Sequence, residues 1–171
     1  MELSDLPEAR GARMPGRRRI LVVESHALVA AALSGLLCEP PLAAAVEIVR
    51  DGEAAIARLD EADFDLVVCE LSVPPRSAIA VMSRLVALGC VVPVVLLSDA
   101  EEEPLLLDAM TSGAAGFFTK DCPPDEFLDG LNTVLEGHYA VGKRVMPGVL
   151  ARLARKGAQP PAADPRVSLR K

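Results

Sequence analysis

The chain has no tryptophan, one tyrosine and four phenylalanines in 171 residues. Its interior must therefore be built mainly from Val, Leu, Ala and Ile, and a hydrophobic content of 51% supplies enough of them for one ordinary domain with tails. No apolar run approaches the ~18 or more residues that a membrane span needs. Met1 to Arg19 holds no apolar stretch of the secretory kind, which leads us to expect a cytoplasmic protein. The four cysteines, Cys38, Cys69, Cys90 and Cys122, are widely spaced with no C-x-x-C, so a zinc or redox motif is not expected. They read as buried small hydrophobes in a reducing compartment. No G-x-S-x-G, G-x-x-x-x-G-K-[ST] or G-x-G-x-x-G occurs, so neither an esterase elbow nor a nucleotide loop is present. His26 and His138 are isolated in sequence, and no metal site is expected from them. Ser25 and His26 are adjacent and would not face each other on a helix.

The net charge of −6 conceals a partition. Ile20 to Gly142 holds 5 basic and 20 acidic residues, a net of −15. Met1–Arg19 nets +2, and Lys143–Lys171, with 8 basic and 1 acidic residue, nets +7. An acidic body thus carries two basic ends, of the kind that meets nucleic acid or an acidic partner.

Residues 1–17 read as a disordered basic tail rich in Arg, Gly and Pro. Met14-Pro15-Gly16 offers an alternative start to Met1. The body, residues 18–141, then alternates. Ile20–Val23 is a buried strand ending at Glu24. His26–Cys38 has helical apolar spacing and stops at Glu39-Pro40-Pro41. Val46–Val49 is a second strand, and Asp51-Gly52 opens a second helix through Leu59. Leu66–Cys69 is a third strand ending at Glu70, followed by Leu71-Ser72-Val73-Pro74 and a helix over Ser77–Leu88. Val91–Leu97 reads as the fourth strand with Pro93 near its start. Glu101–Met110 is a fourth helix with acids at its positive end, closed by Ser112-Gly113. Ala115–Thr119 is a fifth strand, and Pro124–Leu135 a fifth helix with Pro123-Pro124 at its start. In residues 142–171, Pro147–Arg155 reads as a short amphipathic helix with Val149, Leu150, Leu153 and Ala154 on one side. Ala158–Pro165 reads as linker. There is no internal repeat.

Such alternation requires right-handed βαβ units. The fold expected is α/β: a (βα)5 flavodoxin-like, doubly wound parallel sheet of strand order 2-1-3-4-5. Its C-terminal strand ends bring together Glu24-Ser25, Glu70, Ser98 and Lys120, where open α/β sheets place their ligands.

This set resembles a response-regulator receiver domain (CheY-like), most closely of the NarL/FixJ branch. Receivers usually end strand one with two adjacent acids, strand three with a phosphoacceptor Asp, strand four with Ser or Thr, and strand five with an aromatic three residues before a Lys. Gly116-Phe117-Phe118-Thr119-Lys120-Asp121 is similar to the G-Y-L-L-K-D of that branch. His26 after the acids and Gly137-His138-Tyr139-Ala140-Val141 after the last helix add to the likeness, which spans roughly Arg18 to Arg155.

The resemblance implies a non-enzymatic phosphorelay switch in two-component transcription regulation. In it the acids and the acceptor hold Mg2+, the hydroxyl and Lys hold the phosphoryl group, and Phe117 takes the place of an aromatic switch. Here the phosphate-sensing equivalents Ser98 and Lys120 remain, but the acid pair is Glu24-Ser25 and the acceptor is Glu70. A hydroxyl at Ser25 is a poor Mg2+ ligand beside a carboxylate. Glu70 reaches about a bond length further than Asp, and near-attack geometry is sensitive on the ~1 Å scale. Pro74-Pro75-Arg76-Ser77-Ala78 replaces a glycine-bearing loop and is stiffer. We therefore expect an atypical pseudo-receiver without phosphorylation, with Mg2+ binding lost and no other cofactor. Glu70 would be a fixed charge facing Lys120, either as a structural ion pair or as a mimic of the active state. Its expected role is interaction or dimerisation through the fourth helix, fifth strand and fifth helix, approximately Glu101–Glu136. DNA contact is expected only if a helix-turn-helix domain follows Lys171. The competing readings are a working phosphoacceptor at Glu70 and nucleic-acid binding by the basic C-terminal segment.

Overall fold

A computed structural model of the chain describes residues 16–75, 77–99 and 112–157. The predicted helix Glu101–Met110, residue Arg76 and the Ala158–Pro165 linker lie outside the described residues. Eleven elements are described: β1 (Arg19–Val23), α1 (Ala27–Cys38), β2 (Ala45–Val49), α2 (Gly52–Glu61), β3 (Leu66–Glu70), α3 (Ala78–Ala87), β4 (Val94–Ser98), β5 (Gly116–Thr119), α4 (Pro124–Leu135), β6 (Ala140–Val141) and α5 (Met146–Gly157). The strands form one sheet of order β2-β1-β3-β4-β5-β6, parallel at every pairing. This is the expected flavodoxin-like order with one short strand added.

Strand alternation divides the core. Ile20, Val22, Leu66, Val68, Val95, Leu97 and Phe118 face α1 and α4, meeting Leu37, Phe127 and Leu131. Leu21, Val23, Val67, Cys69, Leu96 and Phe117 face the other side, with Leu59 of α2 and Val81, Met82 and Leu85 of α3. Both faces of β3 and β4 are covered, which is why these strands read as unbroken apolar runs. Helix starts follow local chemistry. Asp51 accepts the Ala54 N–H at 2.7 Å and Ser77 accepts that of Ala80 at 3.3 Å, each capping a helix. Gly130 of α4 lets the helix lie on Phe118: a Cβ there would sit 2.1 Å from the ring. Phe118 and Phe127 then pack edge to face at 5.4 Å between centroids.

Three details differ from the sequence expectation. β4 begins at Val94 rather than Val91. Val91 is 98% exposed, and the Cys90 N–H closes back on Leu85 O, so the chain is still leaving α3 there. A sixth strand exists because the Ala140 N–H finds Ala115 O and the Gly142 N–H finds Phe117 O beyond β5; two residues are too few to show a period. In α5, Val149 is buried while Leu150 is 59% exposed, so they do not share the inward side. Successive helical residues are turned by about 100°, and Val149, with Val145 just before the helix, joins the core.

Candidate functional site

Sheet register fixes the site. Val23 pairs with Cys69, Glu70 with Leu97, and Ser98 with Thr119, so the residues that follow or end these strands meet at one edge. The order 2-1-3 makes the crossover direction reverse beside β1, opening a crevice there. Glu24, Ser25, Glu70 and Lys120 gather in it.

Lys120 is the centre of charge. Its Nζ lies 2.5 Å from Glu70 Oε1 and 3.1 Å from Glu24 Oε2. The second Glu70 oxygen, Oε2, accepts the Ser25 hydroxyl at 2.7 Å and the Ser25 N–H at 3.2 Å. The Glu24 and Glu70 side chains are only 1% and 5% exposed, and that of Lys120 14%. Burial by itself raises the Glu70 carboxyl, but the Lys120 ammonium and the two Ser25 donors outweigh it and hold the group down at about 2. Burial likewise opposes charge on Lys120, yet the carboxylates of Glu70 and Glu24 raise its pKa on balance. Cys69 behind them is pushed up to about 12 by burial first and the two carboxylates second, which leaves its thiol unreactive.

The remaining predicted residues are placed differently. Ser98 is fully buried at the end of β4, and its hydroxyl has no hydrogen-bond partner among the described residues. Glu70 thus engages Lys120 but not Ser98. Phe117 is fully buried in the core, pointing inward from β5. The loop after Glu70 is pinned at both ends: Leu71 and Val73 are buried, and the Ala78 N–H donates to Leu71 O at 3.0 Å. Of the basic C-terminal stretch, Arg144 forms an ion pair with Asp121.

His26 is the residue that sequence reasoning missed. It is not isolated: Nδ1 lies 3.0 Å from Glu24 Oε1 and 3.3 Å from Glu70 Oε1. Nor do Ser25 and His26 point apart, since Ser25 Oγ is 3.3 Å from His26 Nδ1. The reason is local. His26 is the extended cap before α1, not a residue within it, so the rule for neighbours on a helix does not apply. The available signal was its place two residues after the strand-end acid Glu24.

A parallel sheet of this order, with two carboxylates, a hydroxyl and a lysine gathered at its C-terminal edge, defines a receiver-type signalling domain. The family model of the response regulator receiver domain matches residues 20–132, and the chain belongs to that family. It is 29% identical over 143 residues to the transcriptional regulatory protein UhpA of Escherichia coli (strain K12), covering 83% of this chain and 68% of UhpA. It is 23% identical over 134 residues to the nitrate/nitrite response regulator protein NarL of the same strain, covering 78% of this chain and 62% of NarL. The crystal structure of a LuxR-family two-component response regulator from Aurantimonas sp. SI85-9A1 matches with a TM-score of 0.74 at 21% identity, covering 81% of this chain and 99% of that one. Among the described residues no helix is long and apolar enough to cross a membrane.

Proposed function

We propose that this receiver works without phosphoryl transfer, as an interaction module whose site is held by an internal ion pair. The observation that carries the reading is the commitment of Glu70. Both of its oxygens are occupied, one by the Lys120 ammonium and one by Ser25. An acyl phosphate at Glu70 would have to break both contacts before a bond formed.

The residues also do not fit the Mg2+ that the family implies. Mg2+ takes near-octahedral oxygen ligands at about 2.0–2.1 Å. Ser25 presents a hydroxyl whose proton already goes to Glu70. The two remaining carboxylates share the Lys120 ammonium, so the site carries one net negative charge. That the Ser98 hydroxyl has no partner among the described residues, Glu70 included, favours a structural ion pair over a mimic of the phosphorylated state, because a mimic needs that contact. The test is a titration with Mg2+ and beryllofluoride, followed by amide NMR. Wild type is expected to show no change at residues 70, 98, 117 and 120, and Ser25→Asp/Glu70→Asp to gain one. A wild-type response would overturn the reading.

Of the partner face expected from the resemblance, the described part is β5 and α4. A specific observation favours a second face for self-association. α1 has no charged residue in twelve, and Leu28 on it is 87% exposed. A groove of about 530 Å³ beside it is lined by Leu28, Leu33, Leu36 and Phe127. Between two acidic bodies of −15 each, a face without acidic residues avoids setting like charges against each other, and a two-fold interface must be self-complementary. Sedimentation equilibrium is expected to give a dimer that Leu28→Asp converts to monomer. A wild-type monomer, or a dimer unaffected by Leu28→Asp, would remove this face from consideration.

A further inference from the structure

We propose that the cleft at the sheet edge opposite Glu70 is a docking site for an acidic, leucine-bearing peptide, and that the chain's own residues 1–8 occupy it. Parallel strands put their starts on one edge. Asp65, Pro93 and Ala115, which precede β3, β4 and β5, line a cavity of about 650 Å³ there. Three of the four most exposed large apolar side chains among the described residues line the same cavity: Val86 at 73%, Val91 at 98% and Tyr139 at 75%. Exposed apolar side chains gathered in one place mark an interaction surface, whereas scattered ones do not.

Two helix ends shape the walls. α3 and α4 both run to this edge, and just past each stands a glycine in the left-handed region, Gly89 at φ +67° and Gly137 at φ +90°. Each glycine turns the chain, and two positions on an apolar side chain, Val91 or Tyr139, stands into solvent. Charge adds a second feature. The lining holds one acid, Asp65, and it serves the fold: it accepts the Arg19 N–H at 2.8 Å and pairs with the Arg18 guanidinium at 3.9 Å. Arg18 is half exposed and sets a cation at the rim of an apolar cleft, beside a body whose residues Ile20–Gly142 net −15.

The start of the chain supplies the complementary chemistry. Residues 1–15 lie outside the described residues, and their sequence sets Met1, Leu3 and Leu6 among Glu2, Asp5 and Glu8, with no basic residue before Arg10. Apolar side chains suit the cleft, and the carboxylates suit Arg18 rather than the acidic remainder of the body. Position agrees with chemistry. The described chain begins at Gly16, two residues before Arg18 of the lining, so this stretch joins the fold beside the cavity. Residues 9–15 extend to about 23 Å at most, enough to turn back across a cleft of this size. A segment tethered so closely needs only weak affinity, because its effective concentration is on the order of millimolar. A partner's peptide of the same chemistry must displace it.

Tyr139 is the chain's only tyrosine, and there is no tryptophan, so intrinsic emission reports on this cavity alone. The test is acrylamide quenching of that emission in the full chain. Leu3→Asp/Leu6→Asp is expected to raise the quenching constant at least about twofold, because a segment held at millimolar effective concentration keeps the cavity mostly filled. Leu28→Asp, on the α1 face, is expected to leave it unchanged. In the wild type, nuclear Overhauser contacts are expected from the Leu3 and Leu6 methyls to the Tyr139 ring. Quenching that Leu3→Asp/Leu6→Asp leaves unaltered, or absence of those contacts, would overturn the proposal. Protection of Tyr139 that weakens on dilution would assign the cavity to a second copy of the chain and would overturn it as well. None of these outcomes depends on whether Glu70 accepts a phosphoryl group.

Discussion

Replacing Lys120 with methionine isolates the charge that holds the site. Met has nearly the length of Lys without the ammonium, so packing changes little while two buried carboxylates, Glu24 and Glu70, lose their counter-ion. Two routes give the magnitude. Removing one partner of a buried pair typically costs about 3–5 kcal/mol, because the other charge stays uncompensated. Independently, Glu70 is held at about 2 against an ordinary 4.5, and at about 1.4 kcal/mol per pH unit that difference corresponds to roughly 3 kcal/mol at neutral pH. Part of this belongs to Ser25, and Glu24 adds its own share to the loss. Lys120→Met is therefore expected to cost about 3 kcal/mol in urea unfolding followed by circular dichroism, or about 9 °C in melting temperature for a chain of this size. Glu70→Gln should cost less, since Lys120 retains Glu24. The double variant should be more stable than the two losses added together, with a coupling of at least about 1.5 kcal/mol. A cost below about 1 kcal/mol for Lys120→Met, or a coupling below about 0.5 kcal/mol, would refute the buried pair as the site's organising contact.

Further outcomes follow from neighbouring features. Because the folded Glu70 carboxyl lies below its unfolded value of 4.5, its contribution is complete above that pH and is lost as pH falls towards about 2. The stability gap between wild type and Glu70→Gln, measured by denaturation across that window, should close accordingly. Lys120 has the opposite sign: its contribution is present below 10.5 and is lost as pH rises through its raised value. Gly130→Ala should destabilise by about 1–3 kcal/mol through overpacking on Phe118, and Phe118→Leu in the same chain should recover part of that loss in thermal melts. The Cys69 thiol, buried and pushed up to about 12, should resist thiol-reactive labelling at neutral pH until the protein unfolds.

The fold was legible because both faces of its inner strands are buried. Ile20–Val23 and Leu66–Cys69 carry apolar side chains at every position, and helices of clear period separate them. Strand limits were legible only where a paired hydrogen-bond ladder coincided with the apolar run. Val91 and Val92 are apolar yet precede the ladder, and Ala140-Val141 is too short to announce itself. At the site, strand-end position alone located Glu24, Glu70, Ser98 and Lys120. What the chain order could not give was the direction of side chains in the turn before α1. Ser25 donates to Glu70 rather than waiting as a vacant ligand, and His26 turns back onto two carboxylates. Both depend on an extended residue at a helix cap, where neither helical nor strand periodicity applies. Ser98 was expected beside Glu70, but β4 places its hydroxyl in the interior without that contact.

Intact-mass measurement after incubation with acetyl phosphate and Mg2+ tests the central claim most directly. A receiver whose Glu70 is bound to Lys120 and Ser25 is predicted to show no added phosphoryl group, while Ser25→Asp/Glu70→Asp regains one. A phosphoryl adduct on the wild-type chain that disappears in Glu70→Ala would contradict it.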